Sequence, residues 1–111
     1  LWGYNNELYS GTGNGIYKYI DEQWHLELPW STIYDIYGSG PNNIFAGSYD
    51  GRFFHFNGAD WKQIDNFKSN GQTIVTLWCN KDYVFLVQFL GNYQQIIQGK
   101  RILKNGVRNY Q

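Results

Sequence analysis

Cysteine, histidine, proline and methionine are scarce in this chain, and the shortages exclude whole classes of protein. A single cysteine, Cys79, cannot form an internal disulfide, and two histidines leave no Cys/His spacing suited to zinc. Nine Lys plus Arg balance nine Asp plus Glu, so the formal net charge is zero. Without a basic excess, no nucleic-acid or membrane-surface partner is expected. The longest apolar run is a handful of residues, far short of the roughly 20 that span a bilayer as a helix, so no membrane insertion is expected. Helical i, i+3, i+4 apolar spacing is not sustained anywhere. Methionine is absent and the 111 residues open Leu1-Trp2-Gly3, which reads as a piece of something longer or one whose start was removed. Aromatic residues are in excess: five Trp, ten Tyr and seven Phe make 20% of the chain, beside 13 Gly. That load rules out disorder.

The aromatics and glycines recur in order. With Leu1 to Trp24 set beneath Ile36 to Trp61, Trp2-Gly3 falls on Tyr37-Gly38, a shift of 35. Leu8-Tyr9 falls on Ile44-Phe45, Gly11 on Gly47 and Gly15 on Gly51, each a shift of 36. Tyr17 and Tyr19 are matched to Phe53 and His55, and Trp24 to Trp61, the last a shift of 37. A worn third copy places Thr76-Leu77-Trp78 on Asp35-Ile36-Tyr37 and Tyr83-Val84-Phe85 on Asn43-Ile44-Phe45. It also sets Ile96-Ile97-Gln98-Gly99 on His55-Phe56-Asn57-Gly58. Terminal repeats are commonly atypical because they cap an array, so this copy is expected to be the last.

Within one copy the pattern is all β. Strands are expected over residues 32–38, 43–49, 52–56 and 60–64, and Asp50-Gly51 is expected to form a type I′ hairpin turn. Asn57-Gly58, Asn14-Gly15, Asn70-Gly71 and Asn105-Gly106 mark further turns. Four antiparallel strands per repeat of this length are the mark of a propeller blade. The runs are apolar on both faces, as a sheet held between two neighbours requires. The expected fold is an all-β propeller segment of about three four-stranded antiparallel blades. Their boundaries are residues 1–29, 30–66 and 73–104, with a C-terminal tail at 105–111. Trp24 and Trp61 are expected to begin each outermost strand and cover the gap to the next blade. Propellers close with about four to eight blades, so either the chain is the C-terminal part of a larger ring or copies associate into one through open blade faces.

Ile36-Tyr37-Gly38-Ser39-Gly40-Pro41-Asn42-Asn43-Ile44-Phe45-Ala46-Gly47, followed by Gly51, His55-Phe56-Asn57-Gly58 and Trp61, resembles the blades of bacterial β-propeller repeat proteins of the exported or envelope type. The first repeat keeps Trp2-Gly3, Gly11, Gly15, Tyr19 and Trp24 of that pattern, and the third keeps Leu77-Trp78 and Val84-Phe85. The resemblance implies an extracellular or envelope location and names no reaction. The tryptophan–aspartate repeat pattern is absent. Ser48-Tyr49-Asp50-Gly51 lacks the spacing and the Thr-Trp of a sialidase Asp-box.

Candidate chemistry is sparse. His55 and His25 read as strand histidines, and Asp21-Glu22 and Asp50 as turn carboxylates that cap backbone N–H groups. A glycosidase needs two carboxylates facing one cleft, and none recurs here outside the turns. Cys79 reads as a small buried hydrophobe with no nameable base. Gly11-Thr12-Gly13-Asn14-Gly15 lacks the Lys and helix of a phosphate loop. Lys100-Arg101, Lys104 and Arg108 read as a solvated basic end. No catalytic residue, cofactor or metal is expected. The leading expectation is a non-enzymatic interaction or scaffold module, whose partner is a protein or the remaining blades of a parent propeller. A working surface is expected on the loops after the first and third strands of each repeat. A lectin-like module stays open, with the loop aromatics Tyr4, Trp30, Tyr49 and Tyr93 as candidate ligand-binding residues. A glycoside-active enzyme with its catalytic residues elsewhere also stays open.

Overall fold

The computed structural model of the chain describes all residues except 5, 65–70, 91–92, 105–106 and 111; the side chains of 90, 93–95, 100–104 and 107–110 are likewise outside the description. The described residues form twelve strands and no helix, in three four-stranded antiparallel sheets. Sheet I contains β1 (Trp2–Tyr4), β2 (Glu7–Thr12), β3 (Gly15–Ile20) and β4 (Gln23–Pro29). Sheet II contains β5 (Ile33–Gly40), β6 (Asn43–Ser48), β7 (Phe53–Phe56) and β8 (Trp61–Gln63). Sheet III contains β9 (Ile74–Cys79), β10 (Tyr83–Leu90), β11 (Tyr93–Lys104) and β12 (Val107–Tyr110). Each sheet is a meander in which consecutive strands pair. The result is an all-β, propeller-like partial array of three blades.

The turns follow local chemistry, though not always where the dipeptides point. Ile20 pairs with Gln23, and the two residues between, Asp21 and Glu22, have φ of 52° and 65°. Two positive φ values make this the type I′ hairpin. Asp50-Gly51 does not form one, because only Gly51 is left-handed, with φ 85°. Gly51 N donates to Ser48 O at 3.2 Å and Arg52 N donates to Ser48 Oγ at 2.8 Å. The left-handed residue that follows such a turn is a bulge glycine in a longer loop. Asn57 and Asn80 act alike: Asn57 Oδ1 accepts from the amides of Ala59 and Asp60, and Asn80 Oδ1 from those of Asp82 and Tyr83. Such Asx turns end the strand ladder without leaving amides unsatisfied. The expected Asn70-Gly71 and Asn105-Gly106 turns fall on residues outside the description, except Gly71, which has φ 76°.

The longer loop in sheet II moves the register of everything after it. Gly11 pairs with Ile16 whereas Gly47 pairs with Phe53, so Ile16 corresponds to Phe53, Tyr17 to Phe54 and Tyr19 to Phe56. The sequence match of Tyr17 and Tyr19 to Phe53 and His55 is one residue out, and a slip of one moves a side chain to the opposite face of the sheet. A similar correction applies to sheet III. Val84 pairs with Gly99 and Phe85 with Gln98, so Gly99 is a mid-strand residue and not the counterpart of Gly58. The strand runs on to Lys104 and pairs with β12 from Arg101↔Tyr110 to Lys104↔Val107. Residues 107–110, expected within a tail, are the fourth strand of sheet III. The strand is longer because sheet III makes its last turn later.

The sheets are joined by packing, not by strand pairing. One cluster gathers Tyr9 and Ile16 of sheet I with Ile33, Ile36, Ile44, Ala46, Phe54 and Phe56 of sheet II, and Trp2, Leu28 and Trp61 pack against it. The other gathers Phe45 and Phe53 of sheet II with Ile74, Leu77, Cys79, Val84 and Leu86. Alternate residues of β6 enter opposite clusters and all six are buried, as two-sided coverage requires. Trp61 does cover a gap, its ring centroid lying 6.3 Å from that of Tyr9 across the joint.

Each joint turns on one contact. A Cβ added to Gly11 would fall inside the Ile33 side chain, and one added to Gly47 inside the Ile74 side chain. The threonines that precede these isoleucines repeat as well: Thr32 Oγ1 donates to Gly13 O at 3.2 Å, and Thr73 Oγ1 to Tyr49 O at 2.6 Å. Behind them Tyr49 N donates to Thr32 O at 2.8 Å and Phe89 N to Thr73 O at 3.1 Å. Each new sheet thus begins with a Thr-Ile step seated on the glycine of the sheet before. In sheet III the corresponding position, opposite Thr76 as Gly47 is opposite Asp35, holds Val87. Gly47→Val should lower unfolding stability by about 1–3 kcal/mol through overpacking, and Ile74→Ala by about 2–5 kcal/mol through the cavity it leaves. Urea unfolding monitored by tryptophan fluorescence checks both, and an unchanged midpoint for Gly47→Val would show that the contact is not tight.

Candidate functional site

The array has two edges. One carries the β1–β2 and β3–β4 turns; the other carries the β2–β3 and β6–β7 hairpins and the connections from one sheet to the next. Tyr4 lies on the first edge, paired with Glu7 at the end of β1 and stacked on Trp2 with centroids 6.2 Å apart. Trp30 and Tyr49 lie on the second edge. Trp30 directly follows β4, whose last residue, Pro29, pairs with Gly15 at the hairpin end. Tyr49 stands in the β6–β7 hairpin with its ring 5.6 Å from that of Tyr34, edge on. The Tyr93 side chain lies outside the description; its backbone pairs with Leu90. The structure therefore separates Tyr4 from the other candidates, and its most developed surface is not on the edge that carries the loops after the first and third strands.

An open groove of ≈490 Å³ lies beside Trp30, lined by Gly13, Asn14, Tyr17, Leu26, Pro29, Ser31 and Thr32 as well. Trp30 is 88% exposed and has φ 65°, a left-handed conformation that is costly for a bulky residue. Its carbonyl accepts a hydrogen bond from Arg52 Nη2 at 2.8 Å. Arg52 is itself anchored by Asp50, with Nε 2.9 Å from Oδ2, while the other oxygen of Asp50 accepts from the Ser48 hydroxyl. Ser31, next to Trp30, is 4% exposed, and its hydroxyl has no hydrogen-bond partner.

The residues with the greatest chemical potential elsewhere serve the joints. Asp35 Oδ2 accepts from Thr76 Oγ1 at 2.9 Å and from Leu77 N at 2.8 Å, tying sheet II to sheet III. Asn43 Nδ2 donates to Ser39 Oγ at 2.7 Å and to Asn80 O at 3.2 Å. Its Oδ1 is therefore the acceptor for His55 Nε2 at 2.8 Å, which assigns the proton to that nitrogen. Lys18 lies 3.3 Å from Glu7 and 5.4 Å from the Tyr9 ring centroid. Burial lowers the affinity of Lys18 for its proton, but the neighbouring Tyr9 and the Glu7 carboxylate overcome that and raise its pKa. Burial pushes the Cys79 thiol up to about 12, leaving almost no thiolate at neutral pH. Among the described residues no three His, Cys, Asp or Glu side chains gather as a metal site would need.

No family model, curated protein or solved structure matches the chain.

Sequence reasoning found Trp30 and Tyr49 but missed Ser31, Asp35 and Asn43, which carry no motif. The Thr32-Ile33 and Thr73-Ile74 steps, 41 residues apart, are the signal by which the joints could have been found.

Native Cys79 should be inert to an aromatic disulfide reagent at neutral pH and react fully on unfolding; fast reaction of the folded chain would contradict its burial. A second expectation concerns Asp50. Burial acts to raise its pKa, but hydrogen bonds from Ser48 and Arg52 and the charge of Arg52 outweigh burial and lower it. A carboxylate depressed in the folded state contributes stability above its unfolded pKa and loses it as pH falls through the folded one. Asp50→Asn should therefore destabilise at neutral pH, by less than about 1 kcal/mol for so exposed a group, with the difference closing below about pH 4. Denaturation midpoints of both chains across that range check the sign.

Proposed function

We propose that this chain is a non-enzymatic interaction and scaffold module, a set of blades from a β-propeller of a bacterial exported or envelope protein. The compartment rests on the resemblance of its repeats. The module reading rests on one observation: the two outer sheet faces present the same positions that the inner joints bury. On sheet I, Leu8, Tyr19 and Trp24 are cross-strand neighbours on the face away from sheet II, with Tyr17 paired to Leu26 beside them. Their counterparts in sheet II, Ile44, Phe56, Trp61 and Phe54, form the core against sheet I. Leu8, Trp24 and Leu26 are instead exposed. On sheet III, Trp78, Phe89 and Ile96 are exposed on the face away from sheet II.

Contiguous apolar surface of this kind marks an interaction site. Correspondence with the inner joints makes another four-stranded sheet of the same type its natural occupant. On sheet III, Val87 stands where the inner joints have the socket glycine, so a neighbour on that face packs on its exposed rings without the isoleucine contact. That His55, Asp35 and Cys79 are engaged in packing or polar ties supports a role without catalysis. A second copy of the chain is the ready partner in vitro, so light scattering should give a mass that rises with concentration above 13.0 kDa. Leu26→Glu and Phe89→Glu should each reduce that association while preserving the circular-dichroism spectrum. A chain that stays monomeric at every concentration, with both variants indistinguishable from it in mass and thermal midpoint, would refute the reading.

A further inference from the structure

Sheets I and II differ at the edge where their second and third strands turn. In sheet II the longer hairpin supplies Arg52, whose guanidinium carbon lies 5.7 Å from the Phe54 ring centroid and so covers that ring. Sheet I turns through Thr12, Gly13, Asn14 and Gly15, a shorter hairpin with no cation. Tyr17 takes the place of Phe54, and the space that Arg52 fills in sheet II is open in sheet I. That space is the groove beside Trp30.

Three features of the groove go beyond a packing defect. The Trp30 ring is solvated at 88% exposure, on a backbone whose φ of 65° suits glycine. A solvated indole gains little from burial, so nothing in the fold accounts for a tryptophan at a strained position. The backbone around it is held from both sides, by Arg52 on the Trp30 carbonyl and by Thr32 on Gly13 O, so the point from which the ring projects is fixed. Ser31, in the groove wall, is 4% exposed and its hydroxyl, itself shut off from solvent, has no partner, a cost that a ligand hydroxyl would relieve once the side chain turns towards the groove.

The lining selects a chemistry. Trp30, Tyr17, Leu26 and Pro29 give apolar surface, Asn14 gives amide donors and an acceptor, and Ser31 gives a hydroxyl. No lining residue is charged. A ligand with one apolar face and a hydroxyl-bearing edge, carrying no charge, satisfies both parts; a purely apolar one leaves Ser31 unpaired. We propose that this groove binds a neutral carbohydrate, one pyranose ring lying against the Trp30 indole with its hydroxyls towards Asn14 and Ser31. The site is that of a single chain: Tyr17 and Leu26 also belong to the outer face of sheet I, so a sheet docked there would cover part of the groove and compete with the ligand.

Saturation-transfer NMR and calorimetry with methyl β-D-glucopyranoside, methyl β-D-galactopyranoside and N-acetylglucosamine, at low protein concentration, test the proposal. At least one probe should bind at millimolar concentration, with transfer strongest to protons on one face of its ring. Tyr17→Ala should weaken binding about tenfold, the equivalent of one lost stacking contact, whereas Tyr4→Ala, on the opposite edge, should leave it unchanged. Trp30→Gly is the decisive variant: it should abolish binding while raising the thermal midpoint, because glycine relieves the left-handed strain. Failure of all three probes to bind the unaltered chain, binding that survives Trp30→Gly, or a fall in its thermal midpoint would each overturn the proposal.

Discussion

An isoleucine methyl resting where a glycine has no side chain is the contact on which the array depends. Ile33 on Gly11 and Ile74 on Gly47 bring the first strand of each new sheet within van der Waals reach of the second strand of the sheet before, and the rest of each joint follows from that distance. Once the strands are this close, the preceding threonine reaches a carbonyl of the neighbouring hairpin. Buried clusters then close on both sides of sheet II, and in such close-packed interiors a misplaced methylene is felt. A small antiparallel sheet needs an apolar face packed against a partner to be stable. Stability belongs to the joints, as in other stacked repeat architectures.

This constraint explains the aromatic content. Rings at alternate positions of the second, third and fourth strands face opposite ways, so a sheet between two neighbours needs them on both sides. Sheet II has both neighbours, and β6 is buried throughout. Sheets I and III have one each, and their outward rings are correspondingly exposed. Polar ties are laid over the apolar joints at fixed points. Asp35 grips two donors of sheet III, and Asn43 links His55 within sheet II to the Asn80 carbonyl of sheet III. Residues that look reactive in a list of side chains thus work as fasteners. The edge carrying Trp30 is the exception: there a ring is held out by a backbone conformation that it does not itself favour.

Much of this was legible beforehand. Four strands per repeat were readable because β-branched and aromatic runs alternate with Asn-Gly, Asp-Gly and Gly-Pro breaks, and two-sided apolar runs announce two-sided burial. The errors share a cause. Asp50-Gly51 suits a type I′ turn as a dipeptide, but Ser48 and Arg52 bond around it and make a longer loop with Gly51 as the bulge. The extra residue then moved Tyr17 and Tyr19 to the face opposite the one their sequence match implied. In sheet III a glycine, Gly99, imitated a turn that the strand runs straight through. Of the candidate site, Trp30 was readable as a loop aromatic; its strain, the buried Ser31 beside it and the groove left by a shorter hairpin were not.

The sequence by itself determined the class of element, the number of strands per repeat and the need of every sheet for a neighbour. These depend on local propensity and on the period of apolar residues, which are written along the chain. The tertiary structure decided which face each ring occupies, which glycine receives which isoleucine, and where the edge opens into a groove. Such outcomes turn on single-residue differences in loop length. A loop one residue longer is nearly silent in composition, yet in a structure with a side-chain period of two it exchanges inside for outside.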